Sequence, residues 1–229
     1  MWTSVLPAQR SSDIAVLPDG CVDVIWRANR LLVVGPDITA ARPDLPPGAH
    51  VIGARFQPGD ARHWLGLPLS EIVGQSVELA DLRGIWAKGF ARRMEDAQSI
   101  DRQAQVFQQQ LMQAPRPPAR PDRSASEIFC LASMLARDEG RAVACMPKRL
   151  DISPRTLLRH CRDHFGYGPK TLERMLRFQH LLCLARQDHS VGLIMLAMDA
   201  GYADQAHLVR EVRALCGMTA TALLHQMRH

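Results

Sequence analysis

Apolar residues in the first third of the chain come in short, dense runs. "DIAVL" (13–17), "CVDVIWR" (21–27), "RLLVVG" (30–35) and "AHVIGARF" (49–56) are rich in Val, Ile and Leu, with turn signals such as "PDG" and "AN" between the first three. Runs of that length and composition predict strands. The period then changes. "PGDARHWLG" opens with Pro-Gly-Asp, a helix start, and "DLRGIWAKGFARRMED" and "SIDRQAQVFQQQLMQ" return apolar residues every three or four positions, which predicts helices. The first half is therefore expected to be α+β, a small antiparallel sheet or partial barrel followed by helices. Ile85, Trp86, Phe90 and Met94, with Val106, Phe107 and Leu111, mark the apolar faces of the last two helices (84–94 and 99–113). Those faces either finish the core or form a seam between two copies.

"APRPPARPD" (114–122) ends this pattern. Its prolines cannot continue a helix and hold the chain extended, so it reads as a semi-rigid linker. Beyond it every segment has helical period: 124–138, 142–150, 153–165, 169–187, 190–199, 204–215 and 219–227. The expected organisation is an N-terminal regulatory, effector or dimerisation domain (1–113), a linker (114–122) and an all-α C-terminal domain (123–229).

Composition narrows the class. The 229 residues are 47% hydrophobic and 22% charged, in keeping with a soluble globular chain of two domains. The longest apolar runs, "LLVVG" and "LIMLAM", are too short to cross a bilayer. The start, "MWTSVLPAQRSSD", lacks a charged leader followed by an apolar core, so a cytoplasmic location is expected. None of the six cysteines forms a C-x-x-C pair, and free thiols in a reducing compartment are the expectation. Charge is sorted along the chain. Residues 1–121 balance 13 basic against 12 acidic side chains, whereas residues 122–229 hold 15 against 11. A basic C-terminal half suits a polyanionic partner.

The candidate chemistry sits in that half. In "DISPRTLLRHCRDHFG" (151–166), Ser153 is a preferred N-cap and Pro154 suits the first helical position. Leu157, Cys161 and Phe165 form one stripe, Arg155, Arg159 and Arg162 another, and Gly166 ends the helix. "RAVACMPKRL" supplies a short helix before it. Helix, tight turn and capped basic helix make a helix-turn-helix. "SVGLIMLAMDAGYADQAHLVREVRALCG" repeats the plan, with a turn at Gly201 and buried positions at Leu208, Val212 and Leu215. Between the units, Pro169 opens a helix of about 19 residues, about 28 Å at 1.5 Å per residue. Reading helices at its ends would lie roughly one DNA turn apart, about 34 Å.

"GYADQAHLVREVRALCGMTATAL" and "ISPRTLLRHCRDHFGYGPK" resemble the tandem helix-turn-helix domain of AraC/XylS-type transcription regulators, over about Arg141 to Leu224. The resemblance implies seven helices, with the third and sixth in adjacent major-groove segments. Carried over by position, it implies DNA contact by Arg155, Thr156, Leu158, Arg159 and Arg162, and by Gln205, Ala206, His207, Val209 and Arg210. Arg can grip guanine, Gln can pair with adenine, and apolar side chains can meet a thymine methyl; Arg162 is expected on phosphate. The sequence departs from the pattern at Pro147, Val212 and Ala220, where a small helix former, an aromatic and a proline are usual. Pro147 leaves two alternatives: a helix spanning it, or a short one that starts there.

"LPDGCVDVIW" and "GARFQPGDARHWLGLPLSEIVGQSVELADL" resemble a domain of unknown function that precedes this type of DNA-binding domain, over roughly 15–85. It implies a regulatory or effector-binding module. Asp23, Trp26, Arg55, His63 and Trp64, with Cys21 and Phe56, are the candidate pocket residues. The plainer alternative places the aromatics in the core and Asp23 at a turn or sheet edge. Arg55 in an apolar strand needs a partner if buried, either Asp23 or a ligand carboxylate.

No nucleophile-elbow, phosphate-loop, zinc-protease or dinucleotide motif is present, so an enzyme is not expected. His160 with His164, and His225 with His229, have chelating spacing but no third ligand; they read as surface histidines, and neither metal nor cofactor is expected. The sequence thus predicts a sequence-specific transcription regulator. Its expected partners are double-stranded DNA, RNA polymerase and a small-molecule effector, with a homodimer left open and no membrane. The alternative is an adaptor or anti-activator that keeps the fold but binds a protein.

Overall fold

Five strands make one antiparallel sheet in the order β1-β4-β2-β3-β5. They are β1 (Trp2–Val5), β2 (Asp23–Arg27), β3 (Arg30–Val34), β4 (His50–Arg55) and β5 (Ser76–Glu78). This is a computed structural model, describing residues 1–6, 15–115, 123–137, 142–187 and 191–228. Most of the expected linker, 116–122, lies outside the described residues, as do 13, 14, 138, 141 and 190. Among the described residues of the run at 13–17, Val16 forms one isolated bridge, to Ala41. Alternation sorts the sheet's faces. Val24, Trp26, Leu31, Val33 and Ile52 face one core, whereas Ile25, Leu32 and Val51 join Leu6 and Leu45 on the other side.

Helices cover the first face. α1 (Ala61–Leu65) is followed by a 3-10 turn (Leu69–Glu71), then α2 (Leu79–Glu95), bent at Gly84, and α3 (Ile100–Met112). Phe90, Met94, Val106 and Phe107 are buried in that core, with Trp86 and Leu111 packed against it. The apolar faces of α2 and α3 therefore finish the N-terminal core. Ile85 and Met112 stay exposed. Arg83 lies over the Trp64 and Trp86 rings and donates to the carbonyls of Trp64 and Pro115.

The C-terminal half has seven helices among the described residues: α4 (Arg123–Leu135), α5 (Ala142–Arg149), α6 (Pro154–Phe165), α7 (Pro169–Gln187), α8 (Leu193–Asp199), α9 (Gln205–Cys216) and α10 (Ala220–Arg228). α7 belongs to both halves of this bundle. Leu172 and Met175 enter the core of α4–α6, and Phe178, Leu181, Leu182 and Ala185 enter that of α8–α10. Within α7, Glu173 and Arg177 form a buried ion pair at 2.5 Å, and Arg177 also reaches the Ala136 carbonyl and the Tyr202 ring. The departures from the family pattern are absorbed. α5 runs through Pro147, so the helix spans the proline. Val212 and Ala220 are buried where larger or stiffer residues are usual.

Candidate nucleic-acid interface and regulatory cavity

Local chemistry sets both candidate reading helices, α6 and α9. The Ser153 hydroxyl accepts from the Thr156 amide at 3.1 Å, Pro154 occupies the first position, and Gly166 closes α6 in the left-handed region. On α9 the Asp204 carboxylate accepts from the His207 amide at 2.5 Å and Gly217 closes the helix. The turns match too. Asp151 has φ 52 in the first, and Gly201 has φ 80 in the second. A Cβ at Gly201 would meet the Ala136 and Arg137 carbonyl oxygens at 2.9 Å, so that turn requires glycine.

The backs of the helices are buried: Leu157, Cys161 and Phe165 on α6, and Leu208, Val212 and Leu215 on α9. Burial pushes the Cys161 thiol up to about 12, which disfavours its thiolate. Opposite them, Arg155, Leu158, Arg159 and Arg162 are exposed on α6, and Gln205, Ala206, Val209 and Arg210 on α9. Thr156 is half-buried with its hydroxyl 2.9 Å from the Ser153 hydroxyl, and His207 is half-buried with its ring edge-on to Tyr202. The expected contact residues thus divide into eight outward side chains and two engaged at the helix starts. The connecting α7 has 19 residues, about 28 Å.

The N-terminal half grips the far ends of these helices. His164, expected at the surface, is buried, with Nδ1 3.2 Å from the Gly59 carbonyl and its ring beside His63. Arg62 pairs with Asp163 at 3.7 Å. A Cβ at Gly166 would lie 2.7 Å from Pro36 and Val73. On α9, the Ala40 amide donates to the Leu215 carbonyl at 2.6 Å, satisfying one of the acceptors a helix leaves open in its last turn. Segment 36–45 therefore touches the ends of both reading helices, through Pro36 and Ala40.

That segment also roofs a cavity of about 570 Å³ on the second face of the sheet, with Ile25, Val34, Leu45 and Val51 among its apolar walls. Asp23 and Arg55 line it as well. Arg55 donates to both Asp23 oxygens, at 3.0 and 2.8 Å, and to Asp19 at 2.5 Å, so its partners are carboxylates of this chain. The other expected pocket residues lie elsewhere. Trp26 is in the core on the opposite face, His63 meets α6, and Trp64 packs with Phe56 and Trp86. Cys21, beside Asp19, is pushed up to about 12 by burial and then by that carboxylate. Asp37, absent from the sequence-based set, also lines the cavity, and Asp19, outside the lining, is bonded to Arg55. Asp37 follows a plain Gly-Pro turn, and only the folded path of 36–45 brings it there. Among the described residues no three His, Cys, Asp or Glu side chains gather as a metal site. No helix among them is long and apolar enough to cross a membrane.

Two capped helices with basic outer faces, mounted on one shared helix, define a tandem helix-turn-helix protein. Residues 146–226 match a family model described as a helix-turn-helix domain, and residues 1–78 match a domain of unknown function (DUF6597). The chain carries an AraC-type helix-turn-helix domain with a DUF6597 domain in front. Its fold is similar over the full length to ToxT from Vibrio cholerae. One crystal form gives a TM-score of 0.54 at 11% identity, covering 100% of this chain and 99% of that one. The protein from strain O395 gives 0.52 at 12%, covering 99% and 98%, and an apo point variant from strain SCE256 gives 0.53 at 13%, covering 98% and 97%. None of the curated proteins matches the chain.

Proposed function

We propose that this regulator reads an operator through α6 and α9 and that a small effector in the cavity of the N-terminal domain (1–113) controls it. The carrying observation is the double role of segment 36–45, which walls the cavity and abuts the last turns of both reading helices. A ligand that favours one position of this segment shifts the population of DNA-ready chains, provided it binds the two positions unequally. Arg155, Arg159 and Arg210 take base edges, and Arg162 takes phosphate. The division at 114–122 and a cytoplasmic site of action belong to the same reading, as does RNA polymerase as a protein partner. Exposed Ile85 and Met112 leave apolar surface for a second copy.

Genome-wide footprinting of the tagged chain, followed by gel shifts on the recovered sites, tests this. Discrete sites with a shared sequence are expected, bound less tightly as salt rises because counterions are released. Uniform binding, or none, overturns it. A second reading, an adaptor that binds protein instead of DNA, draws on exposed Leu158 and Val209 and on Ile194, Met195 and Met198 of α8. Absence of any operator together with a stable protein complex would favour it.

A further inference from the structure

We propose that the cavity under segment 36–45 takes a small organic cation, an amine whose charged end pairs with Asp37 and whose apolar body lies on Ile25, Val34, Leu45 and Val51. The inference rests on the effector reading above and names the chemistry of that site. A volume of about 570 Å³ is in the range of small-molecule sites, which are mostly apolar with a few placed polar groups.

The charges decide the head group. Asp23 and Asp37 line the cavity with Arg55, Arg27 and Arg42, and Asp19, outside the lining, pairs with Arg55 as Asp23 does. Asp19 and Asp23 are already bonded to Arg55, whose Nε, Nη1 and Nη2 all donate to them. An incoming anion would have to displace one of them. Asp37 is different. It is half-buried, and among the described residues it makes no hydrogen bond or ion pair. Burial, then Asp19 and Asp23, push its carboxyl up to about 6. The lining holds two other cations. Arg27 is four residues along β2 from Asp23, about 13 Å away, and Arg42 already has partner interactions. A half-buried carboxylate facing like charges at the edge of an apolar cavity is complementary to an ammonium.

Isothermal titration of the full chain tests this, with 2-phenylethylamine, 4-phenylbutylamine and cyclohexylmethylamine, each beside its matching alcohol and carboxylate. At neutral pH at least one amine should bind one to one, about tenfold or more tighter than its alcohol, the size of a charge-assisted hydrogen bond. Asp37→Asn should remove that margin, with its thermal melt checking that it folds; Arg27→Gln should leave it. Affinity should also fall as pH drops through about 6, where Asp37 takes up its proton; Cys21 and Tyr167, the other titratable groups near this end, stay protonated there. Preference for the carboxylates, no binding by any amine, or unchanged binding to Asp37→Asn overturns the assignment. Gel shifts with the same amine separate it from the effector reading. If the amine binds but operator affinity does not move, the ligand chemistry stands and the control falls. If DNA affinity moves only with an anion, the reverse holds.

Discussion

The two helix-turn-helix units share a plan and differ in their attachments. α6 carries three exposed arginines, Arg155, Arg159 and Arg162, and its last turn is packed into the N-terminal half through His164, Asp163 and Gly166. α9 exposes Arg210 and Arg213, while Glu211 between them is tied back to Arg174 at 2.8 Å. Its link to the front half is the Ala40 hydrogen bond and the packing of Leu17 and Ala40 on its core. The first unit thus pairs the stronger positive field with the heavier restraint, and the second exposes two arginines among neutral and apolar groups under a lighter one. Motifs alike in sequence can divide binding and control unequally.

The largest perturbation should erase the comparison. Arg177→Ala leaves Glu173 buried without its partner, a loss of about 3–5 kcal/mol, and because α7 serves both units, chemical denaturation should show them failing together. Unfolding of one unit alone would mean the halves are independent. Next come the matched glycines that close the reading helices. Gly217 has φ 71 and open space around it, whereas Gly166 has φ 86 and Pro36 and Val73 beside it. Gly217→Ala should cost about 1–2 kcal/mol for the left-handed backbone, and Gly166→Ala clearly more. Equal midpoints would show that the α6 contact contributes nothing.

DNA readouts sharpen the contrast further. Arg159→Ala and Arg210→Ala should each weaken specific binding by about 1–3 kcal/mol, measured by anisotropy on the footprinted site, and Arg92→Ala on α2 should not. Removing Arg162 should lower the slope of log affinity against log salt by about 0.9, as one phosphate contact does. The smallest effect is a stability slope. Asp37 holds its proton more tightly in the folded chain than its ordinary value of 3.8 allows, near 6. Stability from this group is full below that ordinary value and lost as pH rises through about 6. Melting temperatures of Asp37→Asn across this window should therefore decline less than those of the wild type.

What could be read from the chain was local. Ser153, Pro154 and Gly166 state where α6 starts and stops, and α7 has the expected bounds, 169–187, because caps, prolines and period lie within a few residues of the structure they cause. The edge strands β1 and β5 carried no such signal. All four residues of β1 are exposed, so no alternation marks it. The pocket was half legible. Asp23 and Arg55 stood out as charges in apolar strands, but Trp26 and Trp64 are drawn to the core by size, and Asp37 reaches the cavity only through a loop whose path depends on distant contacts. His164 looked like a surface residue because its partner, the Gly59 carbonyl, lies 105 positions away.

Segment 36–45 meets two helix ends with one short stretch of backbone. On the effector reading proposed above, a ligand that shifts that stretch acts on both helices at once, so graded ligands should change how many chains are competent and leave the preferred sequence as it was. An operator with one damaged half should then stay as inducible, or as repressible, as an intact one, only weaker.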